Sequence, residues 1–276
     1  MQWNQIVGNV KNVTVPEAAA FLEQRPLGTY EILDVRQPAE YKEGHIAGAR
    51  LLPLPELLKG NVSLSAHKSY LVYCRAGSRS LAACQWLASQ GITEVKNLVG
   101  GYLVWSGLRA KGPYEQHLTL LEPEAEFEDA LSLAFAMEDG LGRLYHKLSL
   151  RVPNPICAKL LSHLVEFEER HKAALAASST RPQGPKFNPK HGQLVESGAQ
   201  VSAVCKEMEL FLNLPEDVFD FAMGIEAQAF DLYMRLSQTA LSPATEKLFL
   251  DLAEEECTHL DLLKIEADRY FRQHSS

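Results

Sequence analysis

The sequence predicts two domains in series: an α/β unit built on a parallel sheet, then an all-α four-helix bundle. Three observations carry this. Short β-rich runs alternate with helical patterns up to about residue 112. The strand signal then stops, and from about Glu122 onward only long helical periodicities follow. Finally, the second half repeats itself at a spacing of 88 residues. A chain of 276 residues, at roughly 150 per domain, has room for about two such units.

In the first half, YEILDVR (Tyr30 to Arg36), SYLVYCR (Ser69 to Arg75) and VKNLVGG (Val95 to Gly101) read as buried strands. Between them lie two helical patterns. PEAAAFLEQ (Pro16 to Gln24) has Pro at its start, and SRSLAACQWLASQG (Ser78 to Gly91) has Ser at its front and Gly at its end. Strands separated by helices pair in parallel. KGPYEQ (Lys111 to Gln116) opens a linker, so the predicted boundaries are 1–112 for the α/β unit, 113–123 for the linker and 124–276 for the bundle.

Helical patterns in the second half fall near 124–150, 155–178, 215–240 and 243–271. The Pro- and Gly-rich segment RPQGPKFNPKHGQ (Arg181 to Gln193) separates the second from the third. A connection that long suggests a crossover rather than a tight turn. Val201 to Leu212 adds a short extra helical segment.

Sliding residues 134–175 forward by 88 gives 14 identities in 42 positions, where composition alone gives about three. Glu138 meets Glu226, Tyr145 meets Tyr233, Pro155 meets Pro243, Glu168 meets Glu256 and His171 meets His259. The pattern reads as two copies of one helix–turn–helix unit about a pseudo-twofold axis. Both copies place carboxylates where apolar residues belong. Glu138 falls on the stripe of Leu131, Ala134, Leu141 and Leu144, and Glu226 on that of Phe219, Ala222 and Ala229. Glu168 and His171 share a face with Leu161, Leu164 and Leu175; Glu256 and His259 share one with Leu248, Leu252 and Leu263. Burying an isolated carboxylate costs several kcal/mol or is avoided by protonation. Two divalent cations would neutralise four carboxylates, and a carboxylate–imidazole set suits iron or manganese.

Composition narrows the remaining options. Apolar residues make up 46% of the chain and charged residues 22%, as in ordinary globular proteins, and the formal charge is −8. An acidic chain disfavours a phosphate backbone as partner, so no nucleic acid is expected. The longest near-apolar stretch, about Ala130 to Met137, is far short of a membrane span, and no secretory signal is visible at the N-terminus. Five cysteines at wide spacings, with no C-x-x-C pair, argue against a disulfide framework and against a rubredoxin-type iron centre. A reducing cytoplasm is the expected compartment.

Chemistry in the first half centres on Cys74. It ends a predicted strand, and CRAGSR (Cys74 to Arg79) then leads into a helix. Such a loop aims backbone N–H groups inward at a helix N-terminus, Gly77 permits the tight curl, and Arg75 and Arg79 add positive charge. These features favour a nucleophilic thiolate. A Cys-dependent phosphatase is the competing reading, but its loop needs Cys-x5-Arg, and Arg79 is only five residues after Cys74. Cys84, Cys157, Cys205 and Cys257 read as small buried hydrophobes.

On CRAGSR, LDVR (Leu33 to Arg36), EYKEGHIAGA (Glu40 to Ala49) and GGYLVWSG (Gly100 to Gly107), residues ~10–110 resemble the rhodanese family. The resemblance implies a rhodanese-like α/β fold and a sulfurtransferase. Cys74 would take a sulfane sulfur as a persulfide cradled by the amides of residues 75–79, then pass it to a thiol acceptor. Asp34 and Arg36 would fix the loop rather than react.

On Glu138, Glu168-x-x-His171, Glu226 and Glu256-x-x-His259, residues ~122–272 resemble the rubrerythrin branch of the ferritin-like superfamily. That resemblance implies a ferritin-like bundle with two iron ions, manganese or zinc being able to replace them. Glu168 and Glu256 would bridge, Glu138 and Glu226 would be terminal ligands, and His171 and His259 would each cap one iron. Tyr145 and Tyr233 would add hydrogen bonds around the ligands. It also implies peroxide or oxygen reduction, an external electron donor and a homodimer. Some members carry a further carboxylate near the third-helix Glu, and nothing acidic sits three residues before Glu226, where Met223 stands. The alternative is a sulfurtransferase whose bundle only binds metal or dimerises.

Overall fold

In a computed structural model, residues 10–116, 118, 127–181, 184, 195, 200–208 and 214–274 are described. The chain falls into two compact units that divide between Tyr114 and Glu115.

The first unit follows the order β1 (Lys11–Val13), α1 (Val15–Glu23), β2 (Tyr30–Asp34), α2 (Pro38–Glu43), β3 (His45–Ile46), β4 (Ala49–Leu51), α3 (Leu54–Leu58), β5 (Ser69–Tyr73), α4 (Ser78–Ser89), β6 (Val95–Leu98) and β7 (Arg109–Ala110). Five strands form one sheet in the order β1-β6-β5-β2-β4, and every pair in it is parallel. β3 and β7 form a separate antiparallel pair. All five residues of β2 and of β5 are buried, as a sheet covered on both faces requires. Successive side chains of β5 feed opposite cores. Leu71 and Tyr73 pack with Phe21, Tyr41 and Trp105, whereas Tyr70 and Val72 pack with Leu57, Ala83 and Leu87. α1 starts at Thr14, whose N–H and hydroxyl both donate to Glu17 (2.8 Å each), which fixes the first turn.

The three strands and two helices expected in this unit are all present, each within a few residues of its expected bounds. The short β1, β3, β4 and β7 and the helices α2 and α3 were not expected, because two- and three-residue strands carry no readable alternation.

The second unit is mostly helical: α5 (Phe127–Ser149), α6 (Pro155–Ser178), α7 (Val201–Met208), α8 (Pro215–Thr239) and α9 (Pro243–His274). Three of the long helices open on a proline, whose missing N–H costs nothing in a first turn. At α6 the Asn154 side chain accepts from the N–H groups of Ile156 (2.9 Å) and Cys157 (3.3 Å). α5 packs chiefly on α6, and α8 chiefly on α9. Close approach of the first pair needs Gly142, where an added Cβ would lie 3.2 Å from Glu168 Cβ. The apolar interior includes Leu144, Leu148, Leu161, Leu164, Phe219 and Leu263. Most of the expected crossover segment, 181–193, and most of the expected linker beyond residue 116 lie outside the described residues. No helix among the described residues is long and apolar enough to cross a membrane.

Candidate functional site

Cys74 stands where β5 gives way to α4. The chain turns at Gly77, whose φ of +98° lies in the left-handed region, and its N–H points back at Cys74 Sγ (3.1 Å). The Ser80 hydroxyl lies 3.5 Å from the same sulfur and donates to Asn97 Oδ1 (2.7 Å); Asn97 in turn donates to Asn12 (2.8 Å). Burial pushes the Cys74 thiol up. The Ser80 hydroxyl and the amides of Ser80, Ala76 and Gly77 outweigh it, leaving the thiol more acidic than usual. Cys84, one helix turn along α4, has no such donors, and burial followed by the nearby Cys74 pushes it up to about 12.

The two arginines of the loop differ in how far they are already paired. Arg79 is paired within the domain: its guanidinium grips both oxygens of Glu40 at 2.8 Å, tying α4 to α2 and holding Glu40 at about 2, and it also interacts with Cys74. Arg75 is exposed at the mouth. Cys74 itself is 1% exposed, so the sulfur sits at the floor of the loop. Asp34 and Arg36 are buried and bind each other (2.6 Å), and Arg36 also donates to Gly44 O (2.8 Å) and lies over the Tyr102 ring. These contacts tie Asp34 and Arg36 to each other and to the segments that carry Gly44 and Tyr102. A further brace had no obvious sequence signal beyond GGYLVWSG. The 3-10 turn Gly101–Val104 clamps the loop, with Tyr102 N–H donating to Cys74 O (2.8 Å) and Leu103 N–H to Arg75 O (3.1 Å).

In the helical unit the six expected side chains converge. Glu138, Glu168, Glu226 and Glu256 are fully buried, and His171 and His259 nearly so. Glu138, Glu168 and His171 bring ligand atoms within 4.8 Å of one another, as do Glu168, Glu226 and His259, so Glu168 belongs to both groups. His171 Nδ1 meets Glu138 (2.9 Å), and His259 Nδ1 meets Glu226 (2.9 Å). Tyr145 donates to Glu226, and Tyr233 to Glu138. The two imidazole rings stack with centroids 4.9 Å apart.

A metal pair fits this set. All four oxygens of Glu168 and Glu256 are buried without a hydrogen-bond partner among the described residues. Burial and the neighbouring Glu138 push Glu168 well above the carboxylate range; burial and Glu226 do the same to Glu256. Glu138 and Glu226 stay low against their own burial because His171 and His259 donate to them. Within the cluster, the two carboxylates expected to bridge are thus the two whose oxygens have no hydrogen-bond partner among the described residues. Of the other cysteines, Cys84, Cys157 and Cys205 are buried as expected, whereas Cys257 is only partly buried, because its position on α9 turns it from the interior face.

Residues 14–108 match the rhodanese-like domain family. A "Sulfurtransferase" of Allochromatium vinosum is 37% identical over 87 residues, which span 31% of this chain and 81% of the relative. The chain belongs to the rhodanese-like family. The "Thiosulfate sulfurtransferase GlpE" of Coxiella burnetii is 35% identical over 34% of this chain and 86% of its own length. An uncharacterised protein of Bacillus subtilis, YqhL, is 40% identical over 29% of this chain and spans 65% of its own length in the match. The rhodanese-like domain thus contains Cys74, the loop that surrounds it, the Asp34–Arg36 pair and the Gly101 turn. The Glu and His cluster lies beyond it.

Proposed function

We propose that the chain is a sulfurtransferase acting through a Cys74 persulfide, joined to a ferritin-like di-iron carboxylate bundle that reduces peroxide or oxygen. The domains would be 1–112 and 124–276, with the linker between. Membership of the rhodanese-like family and relatives named sulfurtransferases support the first part. The single observation that carries the second is the set of four buried oxygens on Glu168 and Glu256 that have no hydrogen-bond partner among the described residues.

In the first reaction the Cys74 thiolate attacks the sulfane sulfur of a donor such as thiosulfate. A new S–S bond forms at Cys74 as the donor's S–S bond breaks, and its electron pair leaves with sulfite. An acceptor thiolate then attacks the outer sulfur, and Cys74 departs as the thiolate. The amides of Ala76, Gly77 and Ser80 and the Ser80 hydroxyl stabilise the thiolate at both ends of the cycle. With Arg79 committed to Glu40, Arg75 is the loop's exposed cation and guides an anionic donor to the mouth.

In the second unit Glu168 and Glu256 would bridge two ions, Glu138 and His171 would complete one position, and Glu226 and His259 the other. Iron held by these six side chains would supply redox chemistry toward peroxide or oxygen, with an external donor to restore its electrons. Tyr145 and Tyr233 hold Glu226 and Glu138 in place and fill the interior beside them, which keeps water from those carboxylates. The alternative reading is a centre that binds metal without turnover. It is favoured by Met223, which packs against the apolar core where some relatives of the rubrerythrin type carry an extra carboxylate. Peroxide consumption by the ferrous protein under anaerobic conditions separates the two. Rapid consumption supports the reductase, and none leaves the metal-binding module.

A further inference from the structure

The 88-residue repeat makes the two halves of the Glu and His cluster equivalent in their ligands but not in what stands behind them. His171 turns Nδ1 toward Glu138 and Glu168 and presents Nε2 to Glu255 at 2.9 Å. Glu255 makes no other ion pair among the described residues. The residue 88 positions before Glu255 is Phe167. Phe167 packs on the His259 ring with centroids 4.8 Å apart, and its ring also carries the Arg170 guanidinium at 4.3 Å. Among the described residues both ion pairs of His259 go through Nδ1, to Glu226 and Glu256, and none reaches a carboxylate from its outer edge. One histidine is thus backed by an anion, and the other by an aromatic ring capped with a cation.

We propose that Glu255 makes the two metal positions inequivalent, so that the position served by Glu138 and His171 binds a divalent cation more tightly and fills first. This inference rests on the reading of the cluster as a two-metal site. The physical cause is directional. A carboxylate accepting from Nε2–H keeps the proton on that nitrogen, leaves the Nδ1 lone pair for the metal, fixes the ring plane and makes the imidazole a stronger donor. Phe167 offers His259 no acceptor and can only pack. Glu255 is about half exposed, so water weakens its charge but leaves the hydrogen bond's geometry in force. Glu255 is a positioning residue in this scheme, since it reaches the metal only through His171.

Stepwise anaerobic titration of the full-length protein with Co(II), followed by calorimetry and by the visible absorption of the bound ion, tests this. The intact protein is expected to show two steps of unequal affinity. Glu255→Ala should weaken the tighter step by roughly tenfold or more and bring the two together, with Glu255→Gln, which keeps an acceptor, falling between. Phe167→Glu should strengthen the weaker step. Two unequal steps left unchanged in Glu255→Ala, or two equal steps in the intact protein, would overturn the assignment of Glu255 while leaving the two-metal reading in place. Failure of the intact protein to take up any Co(II) would overturn both.

Discussion

The hydroxyl of Tyr145 on α5 donates to the carboxylate of Glu226 on α8, and Tyr233 on α8 returns the same bond to Glu138 on α5. Each tyrosine lies seven residues after the Glu of its own helix yet serves the Glu of the other. The reciprocal exchange is what a pseudo-twofold repeat produces when its two copies face each other. Tyr145→Phe and Tyr233→Phe should therefore each lower the unfolding free energy of the metal-free helical unit by about 1–3 kcal/mol, because each leaves a buried carboxylate short of a donor. Denaturant unfolding followed by circular dichroism measures this. A loss within error of zero for both would mean that the bonds contribute nothing net.

Cys74 should react with a small alkylating agent at a lower pH than an ordinary thiol, and Cys84 should stay unreactive in the folded protein. Mass spectrometry of partially labelled protein over a pH series reports both. Cys74→Ser should abolish sulfur transfer from thiosulfate without unfolding the domain. Ser80→Ala should raise the pH midpoint of alkylation, since it removes the first of the groups that favour the thiolate. Equal labelling of Cys74 and Cys84 would contradict the loop's proposed effect on its sulfur.

Gly101→Ala should disrupt the Cys74 loop more than any surface change nearby. Gly101 has φ +59°, and an added Cβ would sit 2.2 Å from Cys74 O and 2.8 Å from Arg75 O. The obstacle is backbone, so it cannot swing aside, and the clamp that holds Cys74 and Arg75 would have to open. Sulfur transfer should fall by at least tenfold, with a measurable loss of domain stability. Unchanged kinetics would show that the turn is not needed to shape the loop.

The elements that the sequence revealed are those long enough to display a period. β2, β5 and β6 appear close to their expected bounds because each is a short apolar-rich run bounded by turn residues, and the four long helices because each spans several turns of its period. The Glu and His set was legible for a related reason, since the internal duplication made six polar residues recur on apolar stripes. Contacts set by tertiary geometry were not legible. Nothing in Glu40 signals that it will neutralise Arg79, and nothing in Asn97 signals that it will hold Ser80. Glu255 is one of three consecutive glutamates, Glu254 to Glu256, and only the packing of α9 near α6 shows which one meets His171.

Stability of the metal-free helical unit should pass through a maximum in mildly acid solution. Glu168 and Glu256 have folded pKa values raised above the ordinary 4.5, so their contribution is present below that value and is lost as pH rises through their raised values. Glu138 is lowered to about 2, so its contribution is present above 4.5 and is lost as pH falls toward 2. His171 is raised to about 10 by Glu138 and Glu255 against its burial, so its contribution is full below 6.5 and fades toward pH 10. The window between about 4.5 and 6.5 retains most of the three. Metal should remove the loss at neutral pH by replacing protons as the partner of the carboxylates. Thermal unfolding of chelated and metal-loaded protein at pH 5 and pH 7.5 should show a larger gap between the two forms at the higher pH. An equal gap at both would contradict the origin assigned to it.

The metal content of protein reconstituted anaerobically with ferrous iron and freed of excess tests the central claim most directly. The burial of Glu138, Glu168, Glu226 and Glu256 around His171 and His259 predicts two ions per chain in the intact protein. Glu168→Ala and Glu256→Ala should each fall toward none, because a bridging carboxylate serves both positions, and His171→Ala should retain about one. An intact protein that binds no iron, while remaining folded by circular dichroism, would contradict the account.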